Sequence, residues 1–102
     1  MGRQKGRMKT YKKQRSIVNE ELLKTYRSMT CWCCKGKWNV AGHHIMKRSK
    51  LRLDVPYNLV PLCVKCHTMV HSSPSQFRRL YGEYTYKYLT DWHIIFEKYS
   101  KS

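Results

Sequence analysis

The stretch Cys63-Val-Lys-Cys66-His67-Thr-Met-Val-His71 places two cysteines and two histidines within nine residues. Thiolate sulfur and neutral imidazole nitrogen are the ligands that bind zinc and other transition metals. An apolar core requires no such density, so the stretch predicts metal chemistry. Further ligands stand upstream, where Cys31 and Cys34 form a second Cys-x-x-Cys pair and His43-His44 is a doublet.

Length and charge narrow the class of protein. The chain has 102 residues, with 21 Lys and Arg against six Asp and Glu, and a formal net charge of +15. A domain of this size often needs a metal or disulfides to stay folded, and so large a positive charge predicts a polyanionic partner, foremost nucleic acid. No stretch is apolar enough to span a bilayer, and the basic N-terminus leads into no hydrophobic signal segment. We therefore expect a cytoplasmic protein without a membrane partner, and the cysteine pairs agree with a reducing compartment.

The two cysteine pairs have the spacing of zinc knuckles. Each Cys-x-x-Cys pair presents two thiolates to one ion, and two pairs complete a tetrahedral site with no open position, as is typical of structural zinc. Reactive or redox-active thiols are the alternative use of such pairs. The expected zinc ligands are Cys31, Cys34, Cys63 and Cys66. Cys33 fits neither pair, and we expect it to be a small buried filler.

Four histidines remain after the zinc site is complete. On a helix, His67 and His71 would project from one face and could share a metal. Cys66 would lie about 100° away around the helix axis, so one helix could hold zinc on one side and a second ion on the other. The alternative is that these imidazoles are hydrogen-bonded or face solvent, but the doublet at His43-His44 favours the metal. Spacing excludes a Cys₂His₂ finger, which needs about twelve residues between its Cys and His pairs.

The remaining pattern predicts a small α+β domain. We expect residues 1–15 to form a basic flexible arm and residues 16–102 to form a single domain, with a short strand over 37–45 and a loop over 46–57. Helices are expected from Asn19 to about Arg27, from Ser73-Pro74 to about Leu80 with Gly82 ending it, and from about Tyr86 to Tyr99. Apolar residues at helical spacing in the last of these should pack on the core: Tyr88, Leu89, Trp92, Ile95, Phe96 and Tyr99.

Basic residues crowd the N-terminal arm and the 46–57 loop. Both runs could contact phosphates. The arm could instead be a solubilising tail or a localisation signal, and the loop could instead be a solvated face. Phosphate contact is favoured because both runs have the same sign of charge and the loop adjoins the metal ligands. The residues expected to contact nucleic acid are Lys12, Lys13, Arg15, Lys47, Arg48, Lys50 and Arg52.

Two segments together resemble a known family. Gly42-His43-His44-Ile45, followed by Asp54-Val-Pro-Tyr-Asn58-Leu59-Val-Pro-Leu-Cys63 through His71, is similar to the HNH nucleases of the ββα-metal (His-Me finger) superfamily. More narrowly, it resembles their four-cysteine zinc-containing branch, common in phage and mobile-element genes. The resemblance covers about residues 31–71. It implies a ββα-metal core stapled by a Cys₄ zinc, with C-terminal helices over 73–99.

The resemblance also implies roles for individual residues. His44 would be the general base, and Asn58 the middle residue of the motif, which in relatives either holds the loop facing the base or helps to bind metal. His43 stands where many relatives have an Asp ligand, and with His67 and His71 it would hold the catalytic ion, as in colicin-type nucleases. Three imidazoles favour manganese, nickel or zinc over magnesium, which prefers oxygen.

These expectations combine into a metal-dependent endonuclease that hydrolyses DNA phosphodiester bonds by a single-metal mechanism. RNA is the alternative substrate, and we expect a monomer or homodimer whose targeting could come from a protein partner. One rival is a non-catalytic zinc-containing nucleic-acid-binding module, against which the intact His43-His44, Asn58 and His67 set argues. The other rival is an accessory protein that recruits or inhibits a DNA enzyme through its C-terminal aromatic helix, which would require exposed aromatic side chains.

Overall fold

A computed structural model describes residues 15–101 of the chain, and its elements follow an α, β, β, α order with three further helices. The elements are α1 (Glu20–Arg27), β1 (Val40–His44), a 3₁₀ turn (Pro56–Asn58), β2 (Leu59–Cys63), α2 (Val64–Ser72), α3 (Pro74–Tyr81), α4 (Glu83–Thr90) and α5 (Trp92–Lys101). The predicted α+β class with helices at both ends is confirmed. Among residues 15–101, no helix has the length and apolar character needed to cross a membrane. The predicted arm lies outside the described residues, except for Arg15.

The two strands form an antiparallel hairpin whose register brings the motif residues together. Val40 pairs with Cys63 at one end, and His44 pairs with Leu59 at the other. Because successive side chains of a strand point to opposite faces, His43 and His44 lie on different sides of the hairpin. The strand is shorter than the predicted 37–45 because Asn39 has a φ of 50°, a left-handed conformation that does not continue a strand.

Helix α1 packs against the hairpin through a close approach at Gly42. Asn19 caps the helix as predicted, since its Oδ1 accepts a hydrogen bond from the Leu22 N–H at 3.0 Å. Tyr26 is the buried residue of this helix. A Cβ added at Gly42 would lie 3.3 Å from Leu59 Cδ2 and 3.6 Å from Tyr26 Cβ. Glycine at this position therefore lets α1 lie directly on the strand that carries the two histidines.

The segment before α1 anchors the long loop that follows β1. Ile17 forms an isolated parallel bridge with Leu53. The Ile17 N–H donates to the Arg52 carbonyl at 2.9 Å, and the Asp54 N–H donates to the Ile17 carbonyl at 2.8 Å. Two backbone hydrogen bonds thus hold the end of the loop in place, next to the start of the 3₁₀ turn.

The prediction of one continuous helix over 86–99 is wrong, because the chain breaks at Asp91 into α4 and α5. Asp91 has a φ of −84° and a ψ of 81°, which is not helical. Just before it, the Thr90 hydroxyl donates to the Tyr86 carbonyl four residues back at 2.9 Å, a contact that bends helices. Leu89 and Ile95 remain buried on either side of the break, but Tyr88 is 55 % exposed.

The hydrophobic core joins the hairpin to α2, α3, α4 and α5. Its apolar members come from every one of these elements and from the loop: Val40, Ile45, Met46, Leu53, Val60, Leu62, Val70, Phe77, Leu89 and Ile95. Cys31, Cys63 and Cys66 belong to the same buried cluster. The core is therefore continuous with the cysteine site.

Replacing Phe77 tests how far the C-terminal helices support the fold. Its side chain is fully buried and packs on the rings of Tyr81 and Tyr86, so Phe77→Ala should lower the free energy of unfolding by about 3–5 kcal/mol. Chemical denaturation of the zinc-loaded protein measures the loss. Tyr84→Ala is the matched control, because Tyr84 is 91 % exposed and its loss should change stability by less than about 0.5 kcal/mol. Equal effects of the two substitutions would contradict this view of the core.

Candidate metal centres and catalytic site

The four predicted zinc ligands meet beside the hairpin. The sulfur atoms of Cys31, Cys34, Cys63 and Cys66 all lie within 4.8 Å of one another. The Cys34 and Cys63 sulfurs are 3.6 Å apart, close to the roughly 3.8 Å that a tetrahedron with 2.3 Å zinc–sulfur bonds requires. All five cysteines of the chain are free of disulfides. The cluster therefore has the residue types, number and separation of a closed zinc site.

Electrostatics in the cluster favour a bound cation. Burial opposes ionisation of Cys31, but backbone hydrogen bonds around Cys34, Cys63 and Cys33 lower its pKa to about 6. Burial raises the pKa of Cys66, and its hydrogen bond with Cys63 raises it further. One thiol ionises readily while another resists, because burial and, to a lesser extent, the neighbouring charge of Cys31 oppose a charge on Cys66. A divalent cation would remove that conflict and let all four ligands ionise.

Cys33 lies apart from this cluster. It is partly buried and packs on the hydrophobic core, and burial raises its pKa to about 11. A thiol with so high a pKa is a weak nucleophile at neutral pH. Its position agrees with the predicted role as a filler.

A second cluster consists of the three histidines predicted to hold a catalytic ion. One nitrogen of each of His43, His67 and His71 lies within 4.8 Å of the other two. His67 Nε2 and His71 Nε2 are 3.1 Å apart, and a tetrahedral ion with 2.0–2.1 Å bonds to nitrogen needs about 3.3 Å. Helix α2 supplies this pair from one face, as the four-residue spacing predicts.

His43 is held in the protonation state of a metal ligand. Its Nε2 lies 2.8 Å from the carbonyl oxygen of Leu89, so Nε2 carries the proton and donates it. Its Nδ1 is buried and has no hydrogen-bond partner among residues 15–101. Burial lowers the pKa of His43 to about 4, so the ring is neutral at pH 7. A buried unpaired lone pair is costly, and an ion at this position would satisfy it.

Solvent reaches this centre from the α2 side. His71 is exposed, whereas His43 is only 3 % exposed. Burial lowers the pKa of both His67 and His71, and the neighbouring charges of His71 and Lys47, respectively, lower them further. All three imidazoles are therefore biased toward the neutral, ligating form. Three protein ligands with an exposed side are typical of a catalytic rather than a structural metal site.

His44, the predicted general base, is oriented by a buried carboxylate. Its Nε2 lies 2.8 Å from Asp54 Oδ1. The His44 side chain is 9 % exposed and that of Asp54 is completely buried. The hydrogen bond uses one ring nitrogen and leaves the other, Nδ1, outside this pair. This is the relation between a base and its orienting acid in hydrolases.

Asp54 is a functional candidate that sequence reasoning missed. Arg52 donates to both carboxylate oxygens, with its NH2 at 2.8 Å from Oδ2, and the Asn19 N–H donates at 2.9 Å. Although burial opposes ionisation, these bonds and the one from His44 hold the pKa of Asp54 well below its usual value. Asp54 is thus a carboxylate at neutral pH. One sequence feature could have indicated Asp54. The chain has only six acidic residues, and Asp54 lies within the motif segment.

Asn58 stabilises the loop that faces His44. Its side chain is fully buried, and its Oδ1 accepts from the Met46 N–H at 2.7 Å. Its Nδ2 donates to the carbonyls of Leu53 at 3.0 Å and Met46 at 3.3 Å. Both amide atoms are engaged in holding the backbone. Of the two roles that the resemblance left open for Asn58, this geometry corresponds to loop support rather than to metal binding.

Basic residues border the histidine centre on the side of α1. A cleft of about 400 Å³ runs between α1 and the loop after β1. Lys47 and Arg48, two of the predicted nucleic-acid contacts, line it together with His44, His67 and His71. Arg27, which the sequence pattern indicated only as a base in the last turn of α1, lines it as well. The positively charged side chains of this cleft therefore lie at the edge of the histidine centre.

Other predicted contacts have different surroundings. Arg52 is 20 % exposed and its guanidinium is bonded to Asp54 and Glu20, so it does not project toward a phosphate. Lys50 lies over the ring of Trp92, with its Nζ 4.3 Å from the ring centre. Arg15 is exposed, and its backbone is hydrogen-bonded to the Tyr99 hydroxyl on α5. Lys12 and Lys13 lie outside the described residues.

Comparison with known proteins agrees with this geometry. A family model described as HNH endonuclease matches residues 30–73, which contain both clusters together with His44, Asp54 and Asn58. A curated protein of Nostoc sp. named anaredoxin is 35 % identical over 60 residues, which are 59 % of this chain and 72 % of that protein. The chain carries an HNH endonuclease domain and belongs to the family of this relative. No solved structure matches the chain.

The HNH domain confirms the family that the two sequence segments resemble, and the four-cysteine cluster could hold a metal such as zinc. Domains of this family are generally nucleases and typically bind nucleic acid, which agrees with the basic cleft. One contact of the centre comes from outside the matched residues. The carbonyl that fixes His43 belongs to Leu89 on α4, beyond the end of the HNH match.

Substitution of the cysteines tests the closed zinc site. Cys63→Ser should abolish stoichiometric zinc binding and unfold the region around β2 and α2, since structural zinc contributes roughly 10–16 kcal/mol in small domains. Zinc content by atomic emission and thermal unfolding measure the two effects. Cys33→Ser is the control in the same loop and should retain one tightly held zinc. A Cys63→Ser protein that keeps both zinc and fold would refute the four-thiolate site.

Proposed function

We propose that this protein is a metal-dependent endonuclease that cleaves DNA phosphodiester bonds with His44 as general base. The observation that carries the proposal is that His43 lies in a cluster with His67 and His71, while its buried Nδ1 has no hydrogen-bond partner among residues 15–101. His44 follows His43 directly in the chain, and the basic cleft is lined by His44, His67 and His71. Ligands, base and cationic groups for the substrate thus occupy one surface.

His43, His67 and His71 would hold one divalent ion. When bound, such an ion stabilises negative charge on the phosphate and on the departing oxygen. The imidazole set favours manganese, nickel or zinc over magnesium. The cysteine cluster would hold a separate zinc with a purely structural role.

His44 is suited to take a proton from the attacking water. With Nε2–H donating to Asp54, the lone pair is on Nδ1, the atom that must accept the proton. The Asp54 carboxylate stabilises the imidazolium that forms. Asn58 keeps the opposing loop at a fixed distance through its bonds to Met46 and Leu53. We infer in-line attack by water, which leaves 5′-phosphate and 3′-hydroxyl ends as in the family that the sequence resembles.

Arg27, Lys47 and Arg48 would bind the phosphates that flank the cleaved bond. Their cleft is also lined by His44, His67 and His71, and each contact with a phosphate releases a counterion and adds salt-dependent affinity. The net charge of +15 supports the same conclusion for the whole chain. We further propose a cytoplasmic enzyme of the branch common in phage and mobile-element genes, acting as a monomer or homodimer.

Plasmid nicking tests metal choice and base together. The unmodified chain should convert supercoiled plasmid to nicked circles when manganese, nickel, zinc or magnesium is added. His44→Ala should slow this by about 100- to 10,000-fold, the usual contribution of a general base, while DNA binding by gel shift persists. Tyr84→Ala is the matched control because Tyr84 is 91 % exposed and does not line the basic cleft. Nicking by His44→Ala at the full rate would refute the base, and tight binding without any nicking would favour the non-catalytic module.

A second test concerns the orienting carboxylate. Asp54→Asn should lower kcat by about 10- to 1,000-fold, because an amide can present a donor to His44 and favour the wrong tautomer. KM and zinc content should stay unchanged, which separates positioning from loss of fold. Glu20→Gln is the control, since it removes the other carboxylate bonded to Arg52 and should leave kcat as it is. Equal kcat values for the two variants would exclude Asp54 from the mechanism.

The relative's name favours a second candidate function. Four thiolates in a tetrahedral arrangement can bind iron as well as zinc, and the Nostoc protein is named anaredoxin. An iron ion held by Cys31, Cys34, Cys63 and Cys66 could carry one electron. Metal analysis and the visible spectrum of the isolated protein distinguish the two: a colourless zinc protein supports the nuclease proposal alone, and a coloured protein bleached by reductant supports electron transfer.

A further inference from the structure

A second cleft borders the histidine centre, and no residue of α1 lines it. Its volume is about 320 Å³, and His43, His44 and His71 form one wall. The other walls come from α4, α5 and the loop after β1, with Trp92, Tyr86 and Lys50 among their residues. The hydrolytic steps proposed above use none of these three residues.

The two clefts beside the centre differ in chemistry. The α1 cleft contains Arg27 and Arg48 and no aromatic residue, so its character is that of a phosphate site. The second cleft is lined by aromatic and apolar side chains with two lysines, Lys47 and Lys50, at its edge. His44, Lys47 and His71 line both clefts. A DNA strand that crosses the centre would therefore meet cations on one side and an aromatic wall on the other.

Trp92 is the centre of the aromatic wall. The ring of His93 stacks on it, with centroids 3.9 Å apart and planes 24° from parallel, and Lys50 Nζ lies 4.3 Å from its ring centre. Lys50 is a long side chain that can leave the ring for a phosphate, where its charge gains more than over an aromatic face. A nucleobase can then stack on Trp92, as bases do on aromatic side chains in proteins that bind single strands.

We propose that this cleft receives one unstacked nucleobase next to the cleaved phosphate. The proposal rests on the nuclease function and adds the substrate class: DNA that is single-stranded or locally unpaired. The volume accommodates a single base, since 320 Å³ is at the lower end of sites for small ligands. A duplex would have to give up the pairing of that nucleotide, which is least costly at a mismatch or an existing single strand.

Binding to oligonucleotides with and without bases tests the proposal. The probes are a fluorescein-labelled thymidine 12-mer and an abasic 12-mer with the same phosphates, and the protein is the full zinc-loaded chain without added divalent ion. We expect the thymidine strand to bind roughly 5- to 150-fold more tightly, the usual effect of stacking one base on an aromatic ring. Trp92→Leu should remove this preference, and Trp92→Phe should keep most of it. Trp38→Leu is the matched control, because Trp38 is 71 % exposed and outside the cleft.

A fluorescence measurement keeps the test valid if Trp92→Leu does not fold. The chain has three tryptophans, so Trp32→Phe with Trp38→Phe leaves Trp92 as the sole emitter. The thymidine strand should quench its emission and the abasic strand should not. Equal affinity for the two strands, or emission that neither strand changes, would overturn the proposal.

Two further measurements separate the preference for unpaired nucleotides from the nuclease function. A 20-base-pair duplex with one mismatch should compete with the thymidine strand better than the fully paired duplex, and equal competition would overturn the preference for unpaired DNA. Base-dependent binding without plasmid nicking would sustain the cleft and refute the nuclease. Nicking combined with base-independent binding would do the reverse.

Discussion

Four sulfur atoms held within 4.8 Å of one another are the constraint on which the rest of this small domain depends. Ionised thiolates so close together repel unless a cation lies between them. A zinc bound there would join the segment before β1 to the start of α2, because Cys31 and Cys34 precede the strand, Cys63 caps the helix and Cys66 lies in its first turn. That link would hold β1 and α2 together, and these two elements carry the three imidazoles of the second cluster. An ion in the cysteine cluster would thereby help to set the geometry of the histidine cluster.

The opposite end of the hairpin is held by buried polar side chains instead of a metal. Asn58 and Asp54 are both fully or almost fully buried, and each uses its polar atoms on backbone groups or charged partners. A buried polar group without partners is destabilising, whereas a satisfied one specifies a single arrangement. Asp54 is also hydrogen-bonded to His44. The same side chain therefore stabilises the loop and orients the proposed base.

The two groups of candidate ligands were predictable from the sequence because metal spacing is local. The Cys-x-x-Cys pairs and the four-residue separation of His67 and His71 follow from turn and helix geometry alone. The contacts that tune these residues were not predictable. Asp54 is hydrogen-bonded to His44 although the two lie ten positions apart in the chain, and His43 is fixed by the backbone carbonyl of Leu89, a group that every residue has. Arg52 looked like any other base of its run, but its neighbour Asp54 and the helix residue Glu20 engage it.

The break at Asp91 is a second feature that the sequence pattern did not predict. Apolar periodicity continues through 86–99. It correctly predicted helical structure on both sides of Asp91, but it did not predict that the helix breaks there. A side-chain hydrogen bond from Thr90 and a non-helical ψ at Asp91 turn the chain. As a result, both α4 and α5 contribute residues to the cleft that His43, His44 and His71 line. Trp92 begins α5 directly after the turn, which is how it comes to line the second cleft.

The hydrogen bond between His43 and Leu89 bears on how this domain could be transplanted. A chimera that carries only residues 30–73 into a new scaffold would bring all seven metal-ligand candidates. It would leave behind the acceptor that selects the tautomer of His43, and the ring could then rotate or present either nitrogen. The smallest portable unit therefore extends at least to the end of α4. A displacement of Leu89 is therefore expected to disturb His43, a candidate metal ligand 46 residues away in sequence.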